Sequence, residues 1–270
     1  MSVRASIGSM KTPSPHGCAS AMPCAEGGTE RSEVTDEVSA AEENTAPQTE
    51  EVMKIITEYC ILHKVKLIVA DKDELSINEE RISSASFTYK GEDFDISMGG
   101  EYQIYNAITA IEALNVFKDV CGDFIYMGLL TTVWEGRFYL AFNNPLVIVD
   151  GAHNVDGWRS LTKSLEKYFT NQKFIYIIGV FRDKQYDKMI ELVSPTARKV
   201  FAVASENSRS IGSEELAQLF KENGIDAQSL SDIPLAIEEA IELAIEEDKK
   251  IVICGTLSIT GESIRYLEER

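Results

Sequence analysis

The chain has 270 residues, of which 44% are hydrophobic and 26% charged, values typical of a globular protein with one large or two smaller domains. Its formal net charge of −18 argues against a nucleic-acid-binding surface. No apolar run approaches the ~20 residues of a membrane helix, and the N-terminus lacks the apolar core of a signal peptide. The five cysteines are scattered and form no C-x-x-C pair, so we expect free thiols and a cytoplasmic protein, with an organelle as the alternative compartment.

Residues 1–48 differ in composition from the rest of the chain. None of the 23 aromatic residues precedes Tyr59, and the segment is rich in Ser, Thr, Pro, Gly, Ala and Glu. Such a composition buries too little apolar surface to offset the entropy lost on folding. We therefore predict a disordered or unrelated leader over 1–48.

From residue 49 the hydrophobic pattern becomes regular. Apolar residues over 52–60 recur at helical spacing, residues 66–70 form a short apolar strand, and residues 82–90 and 92–97 alternate as a hairpin. Helical spacing returns over 105–117. These elements predict a separate segment over residues 49–135.

The second half alternates strands and helices. Continuous apolar runs such as 174–178 and 251–254 are typical of strands buried on both faces. The alternation predicts a mostly parallel, doubly wound α/β sheet, and ligands of such sheets bind at the carboxyl ends of the strands. The predicted elements cover residues 146–150, 157–169, 174–180, 186–193, 199–204, 213–223, 233–247, 250–255 and 262–269.

The Asp-Gly-Ala-His-Asn sequence at 150–154 directly follows an apolar strand. Asp150 can accept hydrogen bonds from a ribose or bind a cation, and His153 can bind an anion or transfer a proton near neutral pH. The structural alternative is that Asp150 and Asn154 cap the following helix. Because the whole pentapeptide follows a strand, we favour a functional role.

Three other segments carry candidate ligand-binding side chains. Gly-Arg-Phe at 136–138 lies between the two halves, where an arginine can clamp phosphate oxygens, although a surface turn is the alternative. Gln103 and Asn106 are three residues apart and share a helix face, so their amides can read the edge of a base or cap the helix. The loops after residues 180 and 204 offer Asp183, Lys184 and Arg209 as anion contacts, with solvated loop charges as the alternative.

In this order, five motifs resemble those of folylpolyglutamate synthase/dihydrofolate synthase, a branch of the Mur ligase superfamily. The motifs are Gly-x-x-Gln-x-x-Asn-Ala at 100–107, Gly-Arg-Phe at 136–138, Asp-Gly-Ala-His-Asn at 150–154, Asp-Lys at 183–184 and Gly-Thr-Leu-Ser at 255–258. The resemblance implies the end of a truncated central ATPase domain over 49–135, followed by a Rossmann-like C-terminal domain over 136–270. A Mur-type ligase acting on a cell-wall precursor is a weaker alternative.

The resemblance also implies a reaction and its reactants. Enzymes of this family use ATP to phosphorylate a folate or dihydropteroate carboxylate, and L-glutamate then attacks the acyl phosphate, a step of folate biosynthesis and one-carbon metabolism. The implied catalytic residues are Arg137 and His153. The implied ATP contacts are Asn106, Arg137 and Asp150, and the implied glutamate contacts are His153 and Ser258. From the positions of the residues we add Gln103 to the ATP contacts and Asn154 and Arg209 to the glutamate contacts.

The sequence also departs from the family pattern. No Gly-Lys pair of a phosphate-binding loop occurs in the 270 residues, and Tyr102, Val155 and Thr256 replace the usual histidine, proline and serine. We expect the phosphate-binding loop and the Mg²⁺ ligands to lie upstream, and we expect this partial chain to be a monomer with little or no ligase activity alone. A non-catalytic ligand-binding or assembly module is the alternative.

Overall fold

The structure is a computed structural model that describes residues 42–117 and 120–270, and the described residues belong to one compact unit. Most of the predicted leader, with Cys18 and Cys24, therefore lies outside the described residues. Residues 42–45 of that leader form a strand that pairs in parallel with residues 66–69. The three described cysteines, Cys60, Cys121 and Cys254, are free thiols.

The N-terminal part contains two small sheets and three helices. A two-stranded parallel sheet carries one helix, and a three-stranded antiparallel sheet in the order β3-β4-β5 packs against the other two. The elements are β1 (Glu42–Thr45), α1 (Glu50–His63), β2 (Lys66–Val69), β3 (Leu75–Arg81), β4 (Ser84–Tyr89), β5 (Glu92–Ile96), α2 (Glu101–Asn115) and α3 (Gly122–Thr131).

The C-terminal part is built on a six-stranded sheet in the order β10-β9-β8-β11-β7-β6. All neighbouring pairs are parallel except β6 with β7, which are antiparallel. The elements are β6 (Tyr139–Asn143), β7 (Leu146–Val149), α4 (Val155–Tyr168), β8 (Phe174–Ile178), α5 (Tyr186–Val193), β9 (Ala197–Ala202), α6 (Ser213–Glu222), β10 (Ala227–Ser229), α7 (Ile233–Glu247), β11 (Lys250–Cys254) and α8 (Leu257–Glu269).

Helices cover both faces of this sheet. Tyr176 and Ile178 of β8 pack in one apolar layer with residues of α4, α5 and α6, whereas Ile175 and Ile177 pack in the opposite layer with α7 and α8. Every residue of β8 is buried, which is why its sequence reads as a continuous apolar run. The predicted mostly parallel, doubly wound α/β fold is confirmed.

Several short elements were absent from the sequence-based prediction. Strands β1 and β10 have only four and three residues, and β3 reads Leu-Ser-Ile-Asn-Glu-Glu-Arg, which is mostly polar and exposed. Helix α3 contains two glycines, which have low helix propensity. No helix among the described residues is long and apolar enough to cross a membrane.

Candidate functional site

Three neighbouring strands of the six-stranded sheet end in tight contact at its carboxyl edge. The residues that follow β8, β11 and β7 include Gly179, Gly255 and Gly151, respectively. A Cβ atom on Gly255 would lie 2.2 Å from the carbonyl oxygen of Gly179, and the φ angle of Gly255 is +116°. The loops after these strands therefore meet main chain to main chain, and their functional side chains are held close together.

Asp150 ties the loop after β7 to its surroundings. Its carboxylate accepts hydrogen bonds from the backbone N–H groups of Phe138 and Ala152, both at 2.8 Å, and from the Tyr102 hydroxyl at 3.2 Å. Burial raises the pKa of Asp150, and the two backbone hydrogen bonds oppose that rise. Asp150 therefore orders three segments, and a ribose contact would have to share oxygens that already accept these bonds.

The Gly-Arg-Phe turn is fixed against the same loop. The N–H of Gly151 donates to the carbonyl of Gly136 at 2.7 Å, while the N–H of Phe138 donates to Asp150. Gly136 and the buried Phe138 both have positive φ angles, +77° and +48°, so the turn is held in a conformation that non-glycine residues rarely adopt. The turn places the half-buried Arg137 beside Asp150.

His153 lies between two clefts and has a defined tautomer. Its Nδ1 is 2.8 Å from the carbonyl oxygen of Gly151, which can only accept, so Nδ1 carries the hydrogen. Nε2 is then the ring nitrogen available to a ligand. Asn154 caps α4, because its Oδ1 accepts from the N–H of Gly157 at 2.8 Å. The capping alternative thus holds for Asn154, whereas Asp150 binds the Gly-Arg-Phe turn.

The first cleft, here called the Arg137 cleft, has a volume of about 300 Å³ and contains the N-terminus of α4. A helix N-terminus and an arginine side chain both favour an anion such as a phosphate. Among the described residues, Arg137 forms no ion pair. The lining residues are Tyr102, Arg137, Asp150, Ala152, His153, Asn154, Asp156, Gly157 and Ser160.

The second cleft, here called the Arg209 cleft, has a volume of about 360 Å³ and adjoins the N-terminus of α8. Thr256 is buried and caps that helix, because its Oγ1 accepts from the N–H of Ile259 at 3.2 Å. Two cations and a helix N-terminus at one cleft favour a carboxylate ligand. The lining residues are His153, Phe181, Lys184, Asn207, Arg209, Thr256, Leu257 and Ser258.

The structure brings most of the candidate residues together. His153 lines both clefts, Asn154 shares the first with Arg137 and Asp150, and the second contains Arg209 and Ser258. Neither cleft is lined by Gln103 or Asn106.

Gln103 and Asn106 lie on the same face of α2, as predicted. The Asn106 amide donates to the Gln103 Oε1 at 2.9 Å, and Gln103 is buried whereas Asn106 is exposed. A base would therefore meet the amide of Asn106 before that of Gln103.

Tyr102, Phe181 and Asn207 are among the lining residues that were not assigned as site residues from sequence. Tyr102 joins α2 to Asp150, while Phe181 and Asn207 line the Arg209 cleft. Burial strongly raises the pKa of Tyr102, so its hydroxyl stays protonated and able to donate. The sequence signal available for Phe181 and Asn207 was their position in the polar loops that follow β8 and β9.

Among the described residues, no group of three or more His, Cys, Asp or Glu side chains is arranged to hold a metal ion.

Comparisons with known proteins agree with this architecture. Residues 136–257 match the family model of the Mur ligase glutamate ligase domain. The dihydrofolate synthase/folylpolyglutamate synthase of Bacillus subtilis is 26% identical over 202 residues, which are 71% of this chain and 46% of that protein.

Two solved structures share the fold. The folylpolyglutamate synthase of Mycobacterium tuberculosis, complexed with ADP and AMPPCP, has a TM-score of 0.73 at 21% identity over 86% of this chain and 55% of its own. The bifunctional folylpolyglutamate synthase/dihydrofolate synthase of Yersinia pestis, complexed with AMPPNP and a Mn ion, has a TM-score of 0.65 at 19% identity over 80% and 50%.

This chain spans about half the length of these relatives. The resemblance predicted from the five motifs is confirmed: residues 136–257 match the glutamate ligase domain of the Mur ligases, and the chain is similar to the C-terminal portion of folylpolyglutamate synthase/dihydrofolate synthase.

Proposed function

We propose that this chain is the C-terminal portion of an ATP-dependent ligase that joins L-glutamate to a folate or dihydropteroate carboxylate through an acyl phosphate. The main support for the proposal is that two clefts, one lined by Arg137 and the other by Lys184 and Arg209, share His153. A ligase of this kind has to place a phosphorylated carboxylate and an amino acid side by side, and the shared histidine offers that geometry.

In this proposal the Arg137 cleft takes the nucleotide phosphates. The Arg137 guanidinium and the N-terminus of α4 supply positive charge where the transferred phosphoryl group develops negative charge. Asn106, supported by Gln103, contacts the adenine, and Asp150 orients the loop and contacts the ribose. The Mycobacterium protein was solved with ADP and AMPPCP, which supports nucleotide binding in this family.

The Arg209 cleft takes the incoming L-glutamate. Arg209 binds a carboxylate, and Ser258 and Asn154 supply polar contacts beside His153. The glutamate amine forms the new C–N bond as the C–O bond to phosphate breaks and inorganic phosphate leaves. The amine releases a proton in that step, and Nε2 of His153 is placed to accept it.

The same proposal assigns the remaining parts of the reaction to sequence outside these 270 residues. A Gly-Lys phosphate-binding loop and the Mg²⁺ ligands come from an ATPase segment, so the chain alone, a monomer of the cytoplasm, releases little or no ADP. Its parts divide at residue 135, whereas the boundary predicted at residue 48 lies instead before β1, because β1 pairs with β2. The absence of a Gly-Lys pair also favours a second candidate, a binding or assembly module derived from such a ligase.

The test combines the chain with a separately produced ATPase segment of a family relative that carries the Gly-x-x-x-x-Gly-Lys-Ser/Thr loop. ADP release is measured with dihydropteroate or a folate, with and without L-glutamate. We expect glutamate-dependent release that falls about 10²- to 10³-fold in Arg137→Ala, a loss comparable to removing one donor to a developing charge.

Arg198→Ala is the matched control, because Arg198 lies near the amino end of β9 and pairs with Asp226 and Glu247. It should leave ADP release unchanged. No glutamate-dependent release from a folded mixture, or equal release in Arg137→Ala, contradicts the ligase proposal. Calorimetric binding of L-glutamate without turnover in that mixture supports the binding module instead.

A further inference from the structure

The loop after β8 is built so that Phe181 lies under Arg209. The guanidinium carbon of Arg209 is 4.5 Å from the centroid of the Phe181 ring, within the range of a cation–π interaction. The Arg209 side chain is 58% exposed, so without a support its long chain would sample many rotamers. The ring gives the guanidinium a fixed plane at the rim of the cleft.

The main chain fixes this stacked pair in place. Phe181 forms a β-bridge with Ser210, and the N–H of Arg182 donates to the carbonyl of Arg209 at 2.8 Å. The N–H of Ile211 donates to the carbonyl of Val180 at 3.0 Å. The loops after β8 and β9 are therefore joined across the base of the Arg209 side chain.

Side chains anchor the two loops further. Arg182 forms two hydrogen bonds with Glu215 of α6, at 2.8 and 2.7 Å. The Asp183 carboxylate lies 3.5 Å from the Lys184 Nζ and 3.9 Å from the Arg209 Nη1, distances that leave both cations free to bind a closer carboxylate. In these two loops, Phe181 and Arg182 therefore support the structure, whereas Lys184 and Arg209 are available to bind a ligand.

We propose that Phe181 is a positioning residue that holds the Arg209 guanidinium in the orientation needed to bind the side-chain carboxylate of the incoming amino acid. This inference rests on the proposed glutamate site. Phe181 itself contributes no charge, so its effect should be specific to ligands whose carboxylate reaches Arg209.

The test is an NMR titration of the 270-residue chain with L-glutamate and with L-glutamine, which replaces the side-chain carboxylate by an amide. Phe181→Leu should weaken L-glutamate about two- to fivefold, the size of one cation–π contact near a surface, and leave L-glutamine unchanged. Phe181→Tyr retains the ring and should restore the affinity for L-glutamate. A purely structural loss would weaken both ligands equally and contradict the proposal.

The matched control is Phe142→Leu. Phe142 lies beneath the guanidinium of Arg270 at 5.6 Å, and it lines neither of the two clefts. This variant removes a stacked ring of the same kind and should leave both affinities unchanged.

A second measurement separates this inference from the proposed function. The Nε–Hε resonance of Arg209 should show an upfield ring-current shift in the unliganded chain, and Phe181→Leu should abolish it. If the chain binds no L-glutamate, the proposed glutamate site is contradicted. If the Arg209 resonance also shows no ring-current shift, the positioning role of Phe181 is contradicted as well. An unshifted resonance, or L-glutamate affinity unchanged in Phe181→Leu, contradicts the inference.

Discussion

The two parts of the chain bury their apolar residues very differently. In the six-stranded sheet, β8 is buried along its whole length and helices cover both faces. In α1 only Cys60 is buried, while Ile55, Tyr59 and Leu62 are 66, 56 and 77% exposed. The C-terminal part therefore holds its loops on a sheet whose strand β8 is fully buried, whereas α1 in the N-terminal part leaves most of its apolar side chains exposed.

Isoleucine-to-alanine substitutions in the two regions should differ most in their effect on the free energy of unfolding. Ile177→Ala removes a fully buried side chain from the sheet and should lower the free energy of unfolding by about 2–5 kcal/mol. Ile55→Ala removes an exposed side chain of α1 and should change it by less than about 0.5 kcal/mol. Urea denaturation followed by circular dichroism measures both, and similar losses would remove the contrast.

Glycine-to-alanine substitutions in the two regions should change the stability in opposite directions. Gly255→Ala forces a Cβ against the carbonyl of Gly179 at a positive φ angle, and we expect a loss of about 3 kcal/mol. Gly128→Ala in α3 meets no atom within 4 Å and should stabilise the helix by about 0.5–1 kcal/mol. Thermal unfolding of the two variants should therefore shift the midpoint in opposite directions; shifts of the same sign would contradict the description of the packed strand ends.

A smaller loss than those of Ile177→Ala and Gly255→Ala is expected when the hydrogen bond between the two regions is removed. Tyr102→Phe removes the hydroxyl that donates to the buried Asp150 and should cost about 1–2 kcal/mol. Tyr105→Phe is the matched control on the same helix, because its hydroxyl lies 3.5 Å from Glu101, near the limit of a hydrogen bond. Chemical denaturation that gives equal values for the two variants would mean that the Tyr102 bond does not couple the regions.

Sequence reasoning worked where one physical signal dominated. The apolar runs of β8 and β11 predicted strands buried on both faces, and the parallel sheet then required that 150–154 and 255–258 meet at one edge. Helix α3 and strand β3 escaped prediction because their stability comes from tertiary contacts and not from local propensity. The three hydrogen bonds that Asp150 accepts also escaped prediction, because two of the donors, Tyr102 and Phe138, are distant from Asp150 in sequence.

The glycine contacts at the carboxyl edge have a consequence for how this site can change. A Cβ atom on Gly179 or Gly255 would lie less than 3 Å from a backbone carbonyl oxygen, so these two positions exclude larger residues and bring no side chain to the carboxyl edge. Ligand selectivity then falls to rim positions such as Lys184, Asn207 and Ser258. Substitutions at these rim positions change the cleft and leave the main-chain contacts beneath it intact, so they are targets for altering ligand selectivity.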